Sequence, residues 1–142
     1  MTGLVLAHAA ATLVMVGVIW IVQVVHYPLF ARVGGDFAAY ADGHSRRISW
    51  VVGPPMLIEA STGLAIAIRP PGGVSSTLAW TGLALIGVLW LSTALLQVPE
   101  HQRLGRGFDA PAHRRLVLGN WVRTVAWSAR GVLVLVLLTQ VR

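Results

Sequence analysis

The stretch at 116–141 reads LVLGNWVRTVAWSARGVLVLVLLTQV, a run of Val, Leu, Ala and Trp interrupted by Asn120, Arg123 and Arg130. Its length and apolarity are those of a membrane-spanning helix, at about 1.5 Å of rise per residue against about 30 Å of hydrocarbon. Arg130 then lies roughly 15–20 Å from either end, and an arginine stem of about 6 Å cannot carry its charge to a headgroup layer. A charge at mid-bilayer costs at least about 2.5 kcal/mol on insertion scales, so such a residue points to a partner and to a functional site. At about 100° per residue, Asn120, Arg123, Trp127 and Arg130 share one face within about 80°.

The rest of the chain has the same character. Apolar residues form 56% of the 142 and charged residues 11%, and the mean hydropathy of +0.71 lies outside the soluble range. Stretches at 3–25, 48–68 and 78–98 are also long enough to span a bilayer. The expected fold is therefore all-α: a single transmembrane domain over 1–142, an integral membrane four-helix bundle. The first stretch lacks a positive leader, and its small-residue site around Ala7, Ala9 and Ala11 precedes the apolar run. It reads as a retained helix rather than a signal peptide.

Arginine alone sets the orientation, since there is no Lys. Arg32, Arg46, Arg47, Arg103, Arg106, Arg114 and Arg115 flank the spans on one side, against Arg69 and Arg142 on the other. This bias puts the loops at 26–47 and 99–115 in the cytoplasm and both termini outside the inner membrane. The net charge of +6 belongs to that topology and to anionic headgroups, and nucleic-acid binding is excluded for want of a soluble basic face. With no Cys, disulfides, thiolate catalysis and iron–sulfur ligation are excluded too. The two arginine-rich loops resemble each other. One has Gln23, His26, Gly34-Gly35-Asp36, His44, Arg46-Arg47 and Trp50; the other has Gln97, His101, Gly107-Phe108-Asp109, His113, Arg114-Arg115 and Trp121. The pattern suggests two tandem helical hairpins inserted in the same sense.

Helical spacing gathers the polar residues into stripes: His8, Thr12, Met15, Gln23 and His26 on the first span, and Trp90, Thr93, Gln97 and then Glu100 or His101 on the third. The second span holds one acid, Glu59, at a depth similar to Arg130, and the two are expected to pair. Such a pair can be purely structural. The surplus of Arg123, Asn120, Gln23 and Gln97 beyond that one carboxylate suggests a cavity for an anionic or carbonyl-bearing ligand, or for a developing oxyanion. Four histidines, His26, His44, His101 and His113, lie near the same ends of different spans. Neutral imidazoles on neighbouring helices can hold a transition metal or supply axial ligands to haem, and His26 and His101 are the better placed. No HxxxH or ExxH spacing supports this, and His8, alone near the outer end, is expected to be structural.

The run Gln97-Val98-Pro99-Glu100-His101, with Asn120-Trp121-Val122-Arg123-Thr124, resembles the second half of the anthrone-oxygenase-like four-helix membrane family. The matches are Val98-Pro99, Asn120, Arg123 and Thr124; Glu100-His101 departs from the Asn usual nearby. The resemblance implies four transmembrane helices and oxidation of lipophilic aromatic polyketides. In the first half, Trp20, Pro28-Leu29-Phe30, Arg46-Arg47-Ile48, Pro55-Met56 and Gly63-Leu64 resemble the haem-binding HemJ-type protoporphyrinogen oxidases, although His8 is too far from Trp20 to match their haem ligand. The leading expectation is a membrane oxidoreductase or oxygenase for a lipophilic aromatic or quinone-like small molecule. In it Asn120 and Arg123 stabilise a substrate oxyanion, Glu59 or His101 accepts the proton, Glu59 neutralises Arg130, and Trp90 and Trp127 wall the pocket. The alternatives are a haem- or metal-binding electron-transfer protein, and a non-catalytic subunit with a membrane-protein partner or a homo-oligomer.

Overall fold

The computed structural model describes residues 2–141, among which there are helices and turns but no strand. Arg142, counted above on the arginine-poor side, lies outside them. Four helices carry the chain: α1 (Gly3–Arg32), α2 (Phe37–Ile68), α3 (Ser76–Leu104) and α4 (Ala110–Gln140), each long and apolar enough to cross a membrane. Consecutive helices pack against each other and α4 closes on α1. The fold is thus the expected all-α four-helix bundle, in an up-down-up-down arrangement, of a multi-pass membrane protein. What differs is the extent of the loops. Only 33–36 and 105–109 are non-helical at the arginine-rich end, so most of 26–47 and 99–115 is helix.

Local chemistry explains that extension. α1 and α3 each carry a wide, π-helical turn shortly before a proline: Val22–His26 before Pro28 and Thr93–Gln97 before Pro99. Proline has no N–H to donate and its ring crowds the preceding turn, and a wider turn absorbs both effects. α2 and α4 each start on an aspartate. Asp36 accepts from the Ala39 N–H at 3.1 Å, and Asp109 from the Ala112 N–H at 2.9 Å, capping amides that have no helical partner. The order helix, wide turn, proline, short turn, aspartate cap, helix therefore occurs twice.

Apolar and polar layers alternate along the bundle. Tyr27, Phe30, Phe37, Leu104 and Leu116 fill the arginine-rich end. Met15, Ile19, Met56, Leu89 and Trp127 fill the middle, and Val5, Ile66, Val74, Ala79 and Leu137 the far end. Between them lie two polar layers. Lipid is as apolar as such a core, so close packing and buried hydrogen bonds are what hold the helices.

Two glycines make room for the polar layer nearer the far end. A Cβ on Gly82 would stand 2.6 Å from Arg130 Nη1 and 3.4 Å from Leu133 Cδ2; one on Gly63 would stand 2.6 Å from Ile86 Cδ1 and 3.2 Å from His8 Cε1. Gly82→Ala is expected to destabilise the protein by about 1–3 kcal/mol through overpacking, measured by unfolding in detergent. Gly87→Ala on the same helix, where a Cβ meets nothing within 4 Å, is the control. Equal midpoints for the two variants would mean that the guanidinium can shift freely.

Candidate functional site

Arg130 and Glu59 form the expected ion pair, each 1% exposed. Arg130 Nε and Nη2 donate to Glu59 Oε1 at 2.9 and 2.8 Å, and the Thr12 hydroxyl donates to the same oxygen at 2.9 Å. His8 is not alone: its Nε2 lies 2.7 Å from Arg130 Nη2 and its Nδ1 2.8 Å from the Thr62 hydroxyl. The Thr62 hydroxyl hydrogen goes to the Ile58 carbonyl. Its oxygen therefore accepts from Nδ1–H, which leaves Nε2 to accept from Arg130 and fixes the neutral tautomer of His8. This layer ties α1, α2 and α4 together, and none of its residues lines the two cavities described below.

The second polar layer is built differently. Gln23, in the wide turn of α1, donates to the Val117 carbonyl at 3.2 Å and accepts from Asn120 Nδ2 at 2.9 Å and from the Thr124 hydroxyl at 3.3 Å. Asn120 Oδ1 accepts from Arg123 Nη1 at 3.1 Å. Each amide orientation follows from its neighbour, so the chain Val117–Gln23–Asn120–Arg123 fixes the guanidinium. Arg123 is only 6% exposed, and among the described residues no carboxylate pairs with it. Its Nε has no hydrogen-bond partner. The two arginines of α4 thus share a face but not a role: one charge is neutralised, the other is free.

Arg123 forms part of the wall of a cavity of about 390 Å³. Met15, Val18, Ile19, Val22, Ile48 and Val52 make it largely apolar, and Tyr27, Gln97 and His101 are polar residues deep within it. Its exposed residues, Asp42 and Ser49 of α2, Val98 and Gln102 of α3 and Gly105 just after it, put the opening between these two helices. The Tyr27 hydroxyl is 2.9 Å from His101 Nε2. Gln97 is 2% exposed, and neither atom of its amide finds a partner. Trp127 packs beneath the cavity on Met15 and Ile19. Trp90 does not wall it; it is 42% exposed on the outer face of α3.

Three of the four histidines come together, as a packed chain. His26 Nε2 is 2.8 Å from His44 Nδ1, and the His44 and His101 rings are 5.6 Å apart. His113 turns away and donates to the Tyr27 carbonyl at 2.7 Å. No group of three or more His, Cys, Asp or Glu among the described residues is arranged to hold a metal ion. The ring of His44 packs against both His26 and His101, at 4.4 and 5.6 Å between centroids, so in this arrangement the two expected haem ligands face a third histidine. His44 and His26 also line a second, more open groove of about 620 Å³ between α1 and α2.

The structure thus divides the residues that the sequence put in one site. Arg123, Asn120 and His101 belong to the cavity layer, with Gln23, Tyr27 and Gln97 beside them. Glu59 and Arg130 belong to a separate brace with His8. Tyr27 was not singled out in the sequence, although it stands next to His26 and three residues before Phe30. Beside His101 on α3, Glu100 is held by Arg115 and Arg103 at 2.9 and 3.0 Å and fastens α3 to α4. No protein-family model, curated protein or solved structure matches the chain.

Proposed function

We propose that the protein takes a lipophilic aromatic molecule with a phenolic or quinone-type oxygen from the bilayer, between α2 and α3, and acts on it as an oxidoreductase. One observation carries this reading: a buried arginine that pairs with no carboxylate among the described residues lines a largely apolar cavity whose exposed rim lies between α2 and α3. A cation held away from water stabilises negative charge on a substrate oxygen far more than it would in solvent. Asn120 positions it, being anchored through Gln23 to the α4 backbone. The Tyr27–His101 pair, at 2.9 Å on the cavity wall, is the proton acceptor. Deprotonation beside Arg123 makes a phenolate, with the proton on the Tyr27–His101 pair, and the electrons of the oxidation pass to a co-substrate oxidant such as dioxygen. Glu59 and Arg130 hold the helices and take no part in the chemistry. The resemblance to the anthrone-oxygenase-like family agrees with this, since Val98 lines the cavity and Asn120, Arg123 and Thr124 form its polar layer.

The test is the protein's own cargo. Organic extracts of protein purified from native membranes are expected to contain a lipophilic aromatic compound in near-stoichiometric amount by mass spectrometry. Val52→Trp, which fills the cavity wall, is expected to lose it. The same aromatic content in both proteins would overturn the assignment of the cavity.

A further inference from the structure

We infer that Gln97 reads a hydroxyl group: the molecule that seats against Arg123 carries an O–H donor, and the site favours it over the same molecule without that hydrogen. The inference rests on the proposed use of the cavity and names its ligand class, a phenol or quinol rather than a quinone or carboxylate.

The two wide turns supply an internal comparison. Each presents a glutamine to the bundle, Gln23 from α1 and Gln97 from α3. The Gln23 amide is engaged at both atoms. The Gln97 amide is engaged at neither, although it is equally buried. A sealed, unpartnered amide costs stability at each unmet atom, so packing does not account for a glutamine here. Its place is close to Arg123. A Cβ on Gly119 would stand 3.3 Å from Gln97 Nε2, and Gly119 precedes Arg123 by one turn on the same face of α4. The torsion that turns a glutamine amide is soft, so a small rotation presents it to the cavity it lines.

The unmet atoms then define the ligand. Arg123 Nε and Gln97 Nε2 are donors, and Gln97 Oε1 is an acceptor. A head group with acceptors alone serves the donors but sets its oxygen against Oε1. In the bound ground state a hydroxyl gives its hydrogen to Oε1 and keeps its lone pairs for Arg123; the hydrogen turns to the Tyr27–His101 pair only when it is transferred. Reversing the amide does not remove the acceptor, so the preference does not depend on which way it points.

Calorimetric titration of the full chain in nanodiscs with 2-methyl-1-naphthol and with its methyl ether tests this. Wild type is expected to bind the naphthol at least about tenfold more tightly. Gln97→Leu is expected to bind both probes with the ether's affinity, and to unfold, ligand-free, at a temperature no lower than wild type. Gln97→Met is the second variant, with the same expectation. Equal wild-type affinity for the two probes would overturn the inference and leave the cavity reading standing, as would a preference that survives in Gln97→Leu. Binding of neither probe would overturn both.

Discussion

Glu59→Ala will lower the stability of the detergent-solubilised protein by about 3–5 kcal/mol, the loss that follows when one partner of a buried ion pair is removed and the other stays charged. The geometry leaves little escape. Glu59 Oε1 takes two bonds from Arg130, which is 1% exposed and otherwise meets only the neutral His8. Arg130 sits near the middle of α4, too deep for its stem to reach water. The carboxylate also joins α1 to α2 through Thr12, so its loss loosens three helices. The double variant Glu59→Leu/Arg130→Leu removes both charges and is expected to recover most of the deficit, because well-packed apolar residues commonly replace a buried pair at little cost. It is also expected to keep ligand affinity, since neither residue lines the cavity. Denaturant unfolding in detergent measures the first effect and calorimetry the second. A single-variant deficit under about 1 kcal/mol, the size of a solvent-exposed pair, would show that water reaches Arg130 and would sink the brace.

How much of this was legible depended on whether periodicity or rotation decided it. The polar face of α4 follows from helical spacing alone, and the partnership of Glu59 with Arg130 follows from depth. Thr62 and Gly63, three and four residues after Glu59 on the same face, were the signal for a second contact, but the sequence does not say that His8 fills it. The orientation of α3 was not legible. Its buried face is Ala79, Gly82, Ile86, Leu89, Ser92 and Gln97, and in a helix that is apolar all round nothing distinguishes lipid from core. That is why Trp90 was assigned inward while Gly82, which admits the guanidinium of Arg130, went unnoticed. Pro28 and Pro99 hinted at the wide turns, yet the turns themselves depend on backbone geometry. The cavity depends on how α2 and α3 splay, and the division of the polar residues into two layers depends on the bundle as a whole.

Arg123→Met should do the opposite of a change at Arg130: keep or raise stability while removing function. The two residues lie seven apart on one helix face, about 10 Å along its axis, so they share helix and side-chain type and differ in depth and above all in pairing. Arg130 has its carboxylate; among the described residues Arg123 has none, and its Nε is unmet. An unpaired buried charge is a net cost to the fold, so replacing it with a flexible apolar side chain relieves the empty protein. The ligand loses its charge-assisted contact, worth about 1.5–3 kcal/mol, and affinity for a phenolic probe is expected to fall about 10–100-fold. Turnover of a confirmed substrate is expected to fall further, about 100–1000-fold, because the charge matters most when the oxygen becomes anionic. Arg123→Lys separates charge from geometry: a point charge without the planar fork cannot keep the Asn120 contact and aim at the ligand together, so recovery is expected to be partial. Unfolding and titration of the same preparations decide between the two roles. An Arg123→Met protein that loses stability as a broken ion pair would, yet binds the probe as wild type does, would make Arg123 a second brace and leave the cavity without its cation. A stable protein that no longer binds would mean that this charge is kept buried for its ligand.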